Sequence, residues 1–111
     1  MAVYVDNVQH RFGRMIMCHL WADSQDELFA MVDRIGVASK WFQHPPKASW
    51  EHFDIGLSKK ALAIAAGAVE TDRFGPLEHV ARRAGDQAKC DQIARLRAAR
   101  GRTPGALVGS G

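Results

Sequence analysis

Cysteine is scarce in this chain of 111 residues: Cys18 and Cys90 stand 72 positions apart and form no Cys-x-x-Cys pair. That spacing argues against a disulfide framework and against a zinc ribbon, and it points to a reducing, cytoplasmic setting. Long apolar runs are missing too. The longest, Ala61 to Val69, has nine residues, far short of the roughly 20 that cross a bilayer, so no membrane partner is expected. The opening Met-Ala-Val-Tyr-Val-Asp has no basic stretch and carries an acid at Asp6, so no secretory signal is expected. Gly56-Leu-Ser-Lys-Lys is too short to count as a phosphate loop, and no dinucleotide fingerprint occurs. Ser49 and Ser58 lack a Gly-x-Ser-x-Gly setting, which leaves no serine nucleophile to nominate. No internal repeat is visible.

What is present is ordinary globular material, 47% hydrophobic and 24% charged, in a length that suits one domain. The net charge of +3 is uneven. Residues 82–102 hold seven basic and two acidic residues, whereas residues 1–81 hold eight basic and ten acidic. A basic C-terminal helix over 86–100 can attract nucleic acid or an acidic protein. No aromatic residue is interleaved there, so a solvated, Arg-rich helix face is the competing reading.

Along the chain, Ala2–Asp6 reads as a buried strand, Asn7–Gly13 as a loop, and Arg14–Trp21 as a central strand. Strand geometry places Met15, Met17, His19 and Trp21 on one face and Ile16, Cys18 and Leu20 on the other. Ser24 and Glu27 form a capping box for a helix with Leu28, Met31, Val32 and Ile35 in one stripe, ended by Gly36. Val37–Gln43 suggests a short strand, His44–Ser49 a rigid Pro-Pro loop, and Trp50–Ile55 an alternating strand. Ser58 is expected to cap a second helix from Lys59 to about Ala66, and Ala68–Thr71 a further strand. Pro76 opens a third helix, and Asp86 caps a fourth with Ile93 and Leu96 inward. The expected fold is a small α/β domain over 1–85, a short mixed sheet carrying helices, then the basic helix 86–100 and a disordered tail over 101–111.

The sharpest chemical feature is His52-Phe53-Asp54. At strand spacing the imidazole and the carboxylate share a face while Phe53 anchors the other. A carboxylate beside an imidazole sets its tautomer and suits a general base, a metal ligand or an anion-binding cation. His19 lies within an apolar strand, where an imidazole needs a partner. If these two strands are neighbours, His19 and His52 point into one cleft, and with two carboxylates, Asp54 together with Asp6 or Asp23, they make a plausible divalent-metal set. A cationic set competes with it: Arg14, Lys47 and Lys59, the last with Lys60 in a helix first turn where an anion could dock. Trp50 shares its strand face with His52 and Asp54 and could stack on a base. Cys18 points away from His19, which weakens it as a nucleophile.

The pieces Met1-Ala-Val-Tyr-Val-Asp-Asn, Gly13-Arg-Met-Ile-Met-Cys-His-Leu-Trp-Ala-Asp23, Asp26-Glu-Leu, Arg34-Ile-Gly-Val37, Pro45-Pro-Lys-Ala-Ser, His52-Phe-Asp-Ile and Ala65-Ala-Gly-Ala68 together resemble a domain-of-unknown-function family of short proteins from tailed phages, prophages and actinobacteria. The resemblance covers about residues 1–85. Relatives read His-Tyr-Asp where this chain has His52-Phe53-Asp54, so a role needing that phenol does not carry over. The resemblance brings no activity with it. It implies Asp6, Arg14, His19, Asp23, Lys47, His52 and Asp54 as recurrent polar positions.

Two functions follow as expectations. The first is a pocket that binds and sequesters a phosphorylated, nucleotide-like signalling molecule, in a phage setting to counter host defence, through Arg14, His19, Lys47, Trp50, His52, Asp54 and Lys59. The second is a small hydrolase of phosphodiesterase or nuclease type, with His52, Asp54 and His19 catalytic and a divalent metal as possible cofactor. A protein-binding inhibitor acting through the basic helix stands third. Homo-oligomers are compatible with all three.

Overall fold

A computed structural model describes residues 2–101, which fall into two compact units, Met1–Arg73 and Phe74–Gly111. The tail expected beyond the last helix lies outside the described residues.

The first unit is built around one long strand. β3 (Met15–Ala22) pairs along one edge with β1 (Val3–Val5) and β2 (His10–Phe12), both antiparallel, and along the other with β4 (Phe53–Gly56), also antiparallel. β5 (Val69–Glu70) adds parallel to β1, giving a mixed five-stranded sheet. β1 is Val-Tyr-Val, β-branched and aromatic throughout, as a pleated, half-buried surface favours, while β3 is mostly unbranched apolar residues, interspersed with Ile16, His19 and Trp21. Two helices follow strands of this sheet, α1 (Gln25–Ile35) after β3 and α2 (Leu57–Ala65) after β4, and the architecture is α/β.

Period-two alternation sorts the sheet into two chemically different faces. Val5, Cys18, Leu20, Ala22, Phe53 and Ile55 form one, and they make a continuous core with Leu28, Met31, Val32 and Ile35 of α1 and Ala63 of α2. Each fully buried aliphatic side chain there contributes about 1.5–3 kcal/mol. The other face carries Tyr4, His10, Met17, His19, Trp21 and Asp54, paired across the strands as Tyr4 with Trp21, His10 with Met17 and His19 with Asp54. The helices thus occupy the apolar face and leave the imidazoles on its reverse.

α1 forms as its capping signal indicates. The Ser24 hydroxyl oxygen accepts from the Glu27 N–H at 3.2 Å and donates to the Glu27 carboxylate at 2.8 Å, while Gly36 closes the helix at φ 80°. A positive φ there suits glycine and few other residues.

Three local expectations need correction. Residues 10–12 are not loop but β2, because a turn at Gly13 (φ 61°) folds them back on Met15–Met17. Val37–Gln43 is not a strand: Ser39–Trp41 form a 3-10 turn, and only Gln43 keeps strand character through one antiparallel bridge to His52. Ser58 does not cap α2, which begins two residues earlier than expected, at Leu57, with Gly56 at its N-cap and no side-chain cap. The chain passes from β4 into α2 with no loop between them, so no residue is spared for a cap.

The second unit is a pair of helices, α3 (Gly75–Arg83) with Pro76 in its first turn and α4 (Gln87–Gly101). Asp86 Oδ1 accepts from the Lys89 N–H at 3.0 Å, the expected cap. Ile93 is buried as expected, but Leu96 is half exposed. Nine residues of α3 reach about 13 Å and cannot cover about 22 Å of α4.

Candidate metal centre

Between Val5, paired with Leu20, and His10, paired with Met17, four residues of one strand face two of the other, Cys18 and His19. Such a bulge interrupts the backbone ladder and leaves groups of the opposite strand in need of partners. Asp6 supplies them. Its carboxylate is wholly buried and accepts twice from one residue, from the His19 N–H at 3.0 Å and at the His19 Nδ1 at 2.6 Å. The side chain thus stands in for a missing main-chain carbonyl and orients the ring with the same group. With Nδ1 committed to the Asp6 carboxylate, Nε2 is the His19 nitrogen turned outward. The hydrogen bond to Asp6 raises the His19 pKa above its ordinary value, against an opposing desolvation.

On the neighbouring strand, the backbone bridge of His52 to Gln43 (2.9 Å in both directions) fixes where β4 begins. His52 is buried, and its Nδ1 donates to the Trp50 carbonyl at 3.0 Å. That bond again leaves Nε2 as the free nitrogen. The Trp50 ring lies parallel to the imidazole at 4.2 Å between centroids and meets Trp21 edge-on at 5.6 Å. Burial pushes the His52 pKa below its ordinary value, so this imidazole is neutral at pH 7.

Both free nitrogens face one atom. Asp54 Oδ1 lies 3.6 Å from His52 Nε2 and 3.9 Å from His19 Nε2, and a third nitrogen, His10 Nε2, stands at 4.0 Å. The second oxygen, Oδ2, is held by the Gln43 amide at 2.5 Å. Oδ1 is buried and has no hydrogen-bond partner, an arrangement that costs free energy unless a cation or proton compensates it. The donor atoms of His19, His52 and Asp54 all lie within 4.8 Å of one another. Ligands around a tetrahedral zinc-like ion at 2.0–2.1 Å stand about 3.3–3.4 Å apart. The two Asp54 Oδ1 separations, 3.6 and 3.9 Å, need to close by about 0.2–0.6 Å to reach that spacing, and the widest separation in the set by up to about 1.4 Å.

Of the residues nominated from sequence, His19, His52, Asp54 and Trp50 therefore converge. Asp6 is adjacent, but both its oxygens are spent on His19, which makes it a positioning residue. Asp23 sits beyond the far end of β3, accepting from the Ala2 N–H at 2.8 Å and the Tyr4 hydroxyl at 3.3 Å, and is outside the cluster. Lys59 is elsewhere too: its ammonium donates to the Ile35 carbonyl at 3.0 Å, closing the C-terminus of α1. Lys60 pairs with Glu70 at 2.7 Å. These contacts explain why two lysines tolerate a helix first turn, and no anion need be invoked. Arg14 is exposed at the hairpin turn, five residues from His19 along β3, roughly 17 Å. Lys47 is exposed in the Pro-Pro loop. Neither is among the groups that meet at Asp54.

Two members of the site, His10 and Gln43, escaped sequence reading because each lay in a segment assigned to the wrong structure. The signal for His10 was present in the alternation His10-Arg-Phe12 before Gly13, which pairs His10 beside Met17 once the turn is recognised. Cys18 lies on the core face, and burial pushes its thiol up to about 11, so it remains protonated and unreactive at neutral pH. In the second unit, Arg97 is tied to Glu78 at 3.0 Å, and Arg82 stands 3.4 Å from the same carboxylate. Part of the basic charge of α4 is thereby neutralised. No helix among the described residues is long and apolar enough to cross a membrane.

The sequence model of a family described as "Protein of unknown function (DUF4031)" matches residues 3–85. That span holds every residue of the cluster. Comparison with curated proteins gave no match, and comparison with solved structures gave none.

Proposed function

The chain belongs to the DUF4031 family, and we propose that it is a divalent-metal hydrolase of phosphate esters, with His19, His52 and Asp54 as metal ligands. The observation that carries this reading is the unpartnered Asp54 Oδ1, faced by imidazole nitrogens at 3.6, 3.9 and 4.0 Å. A nitrogen-rich donor set favours zinc or a similar borderline ion over magnesium or calcium, which prefer all-oxygen sites. Three protein ligands with a fourth position open to solvent is the pattern of a catalytic rather than a structural site. The side chains of His19 and Asp54 are about a quarter exposed, so the cluster is reachable from outside.

The nucleophile is water. Cys18 is buried on the opposite face, and among the described residues no serine or threonine lies in the cluster. A dication held by His19, His52 and Asp54 would lower the pKa of a bound water toward neutrality and polarise a phosphoryl oxygen. In hydrolysis the water oxygen would bond to phosphorus as the ester P–O bond breaks, and the proton given up by the water would pass to the leaving alkoxide. His10, at the exposed edge of the cluster, is placed to deliver it. Asp6 acts one step back, holding the His19 ring and its tautomer.

The test is metal content and turnover together. Protein purified and reconstituted with zinc should hold one ion per chain, lose it to a chelator, and fail to bind it as Asp54→Ala. Incubated with bis(p-nitrophenyl) phosphate, the zinc form should release p-nitrophenol and the chelated form should not. Re-extraction of a phosphodiester uncleaved from the zinc form would favour sequestration of a phosphorylated ligand instead. A chain that takes up no ion at all would defeat the reading.

A further inference from the structure

The β2–β3 hairpin carries large apolar side chains out into solvent on the metal-binding side of the sheet. Phe12 is 75% exposed and Met15 52% exposed. They are directly paired across the two strands, one strand repeat beyond the pair His10–Met17. Alternation puts all four on the face that bears His19 and Asp54. Across β4, Gly56 pairs with Met17. A side chain at position 56 would meet the Met15 methyl at 3.1 Å, closer than side chains normally approach. The absence of a Cβ therefore lets Met15 lie over β4, and a low apolar floor forms beside the imidazoles.

Charge narrows what such a floor can hold. Residues 7–22, the whole stretch containing the hairpin, include Arg11 and Arg14 and no acidic residue. Arg11 points to the reverse face by the same alternation, so Arg14 at the turn is the cation beside the floor. An exposed phenylalanine and methionine next to it suit a ligand that is at once flat, apolar and anionic. Phe12 lies two residues from His10, about 7 Å along the strand, a distance that one ribose spans between a base and its phosphate.

We propose that this hairpin is the base-recognition edge of the metal centre, and that the substrate class is a nucleoside phosphate whose base stacks on Phe12 with Met15 beneath it. The phosphate half of the proposal rests on the metal reading above; the base half rests on the hairpin alone. The geometry assigns the base to the hairpin side of the centre rather than to Trp50, whose ring is already stacked on His52.

Binding to the zinc-loaded full chain tests this without requiring turnover. Equilibrium dialysis compares adenosine 5′-monophosphate with ribose 5-phosphate, which has the same phosphate and no base. The nucleotide should bind at least about tenfold more tightly. Phe12→Ala should weaken nucleotide binding by roughly 5- to 150-fold, the range seen for lost base–aromatic stacking, and leave ribose 5-phosphate unchanged. Phe12→Trp should retain the preference, which a merely misfolded hairpin would not. Equal affinity for the two ligands, a preference that survives Phe12→Ala, or failure of both to bind would overturn the proposal. Zinc counted in the same samples separates the two ideas. One ion per chain without a base preference removes the hairpin assignment alone, and a base preference without zinc removes the metal reading alone.

Discussion

Replacing Asp6 by Asn separates the two duties of that carboxylate, because the amide is nearly isosteric but carries a donor on one side. In the native chain the carboxylate accepts from the His19 N–H at 3.0 Å and at Nδ1 at 2.6 Å, and it is wholly buried. Asparagine can still accept from the main-chain N–H through its oxygen. Its NH2 then faces Nδ1, which must become the acceptor, and the ring proton moves to Nε2. The bulge survives, at a cost of about 1–2 kcal/mol for the lost charge assistance. Asp6→Ala removes both bonds and leaves a buried N–H unpaired, for about 3–5 kcal/mol. Metal affinity should respond differently from stability. In Asp6→Asn the nitrogen that faces Asp54 Oδ1 carries a proton, and zinc binding should fall about 10- to 100-fold, as for other partners that orient a metal-bound imidazole. Urea denaturation gives the stability, competition with a chromophoric chelator gives the affinity, and 15N shifts of His19 report the tautomer directly. An Asp6→Asn protein that binds zinc as tightly as the parent, with its proton moved to Nε2, would refute the claim that Asp6 sets the ligand geometry.

The two perturbed histidines set opposite pH limbs in the metal-free protein. His19 has a raised pKa, so its stabilisation is complete below about pH 6.5 and is lost as pH rises through the raised value. His52 has a lowered pKa, so its contribution is complete above about pH 6.5 and fades as pH falls through the lowered value. Urea midpoints should therefore peak near pH 6.5, and Asp6→Asn should abolish only the alkaline decline; a flat profile in the parent counts against both assignments. His52→Ala should remove zinc binding and also cost about 1–3 kcal/mol, since the imidazole is buried and stacked on Trp50; a fully stable variant would mean the stack contributes nothing. Lys59→Met should lower stability by about 1 kcal/mol through loss of the bond to the Ile35 carbonyl, with zinc and nucleotide binding unchanged; weaker ligand binding would restore Lys59 to the site. Iodoacetamide at pH 8 should leave Cys18 unlabelled in the native protein, its thiol being buried and pushed up to about 11; rapid labelling there, read by peptide mass, would show that the core face opens.

How much of this was legible in sequence depended on whether a signal was local. Ser24, Glu27 and Gly36 announce α1 within thirteen residues, and the structure builds the helix between them. The alternation in 15–22 and 50–55 likewise separates His19, His52 and Asp54 from the apolar face, because strand period alone decides that. Pairing is another matter. Nothing local says that His19 stands opposite Asp54, and the bulge that turns Asp6 onto His19 exists only because β1 and β2 meet the same edge of β3 in registers that differ by two residues. His10 was hidden by the same cause: without the hairpin it is one polar residue in a polar stretch. Lys59 shows the converse error. A lysine in a helix first turn opposes the dipole, and from sequence that conflict suggests a bound anion. The compensation is a carbonyl 24 positions away at the end of α1, a tertiary contact that no local pattern contains. The same test applied to Asp54 ends differently. Its Oδ1 is also a local liability, yet the surrounding chain brings it imidazole nitrogens at 3.6 and 3.9 Å and no donor within hydrogen-bond reach. Folding resolves the conflict at Lys59 and leaves it standing at Asp54, and that difference is why a ligand is proposed at the second residue and not at the first.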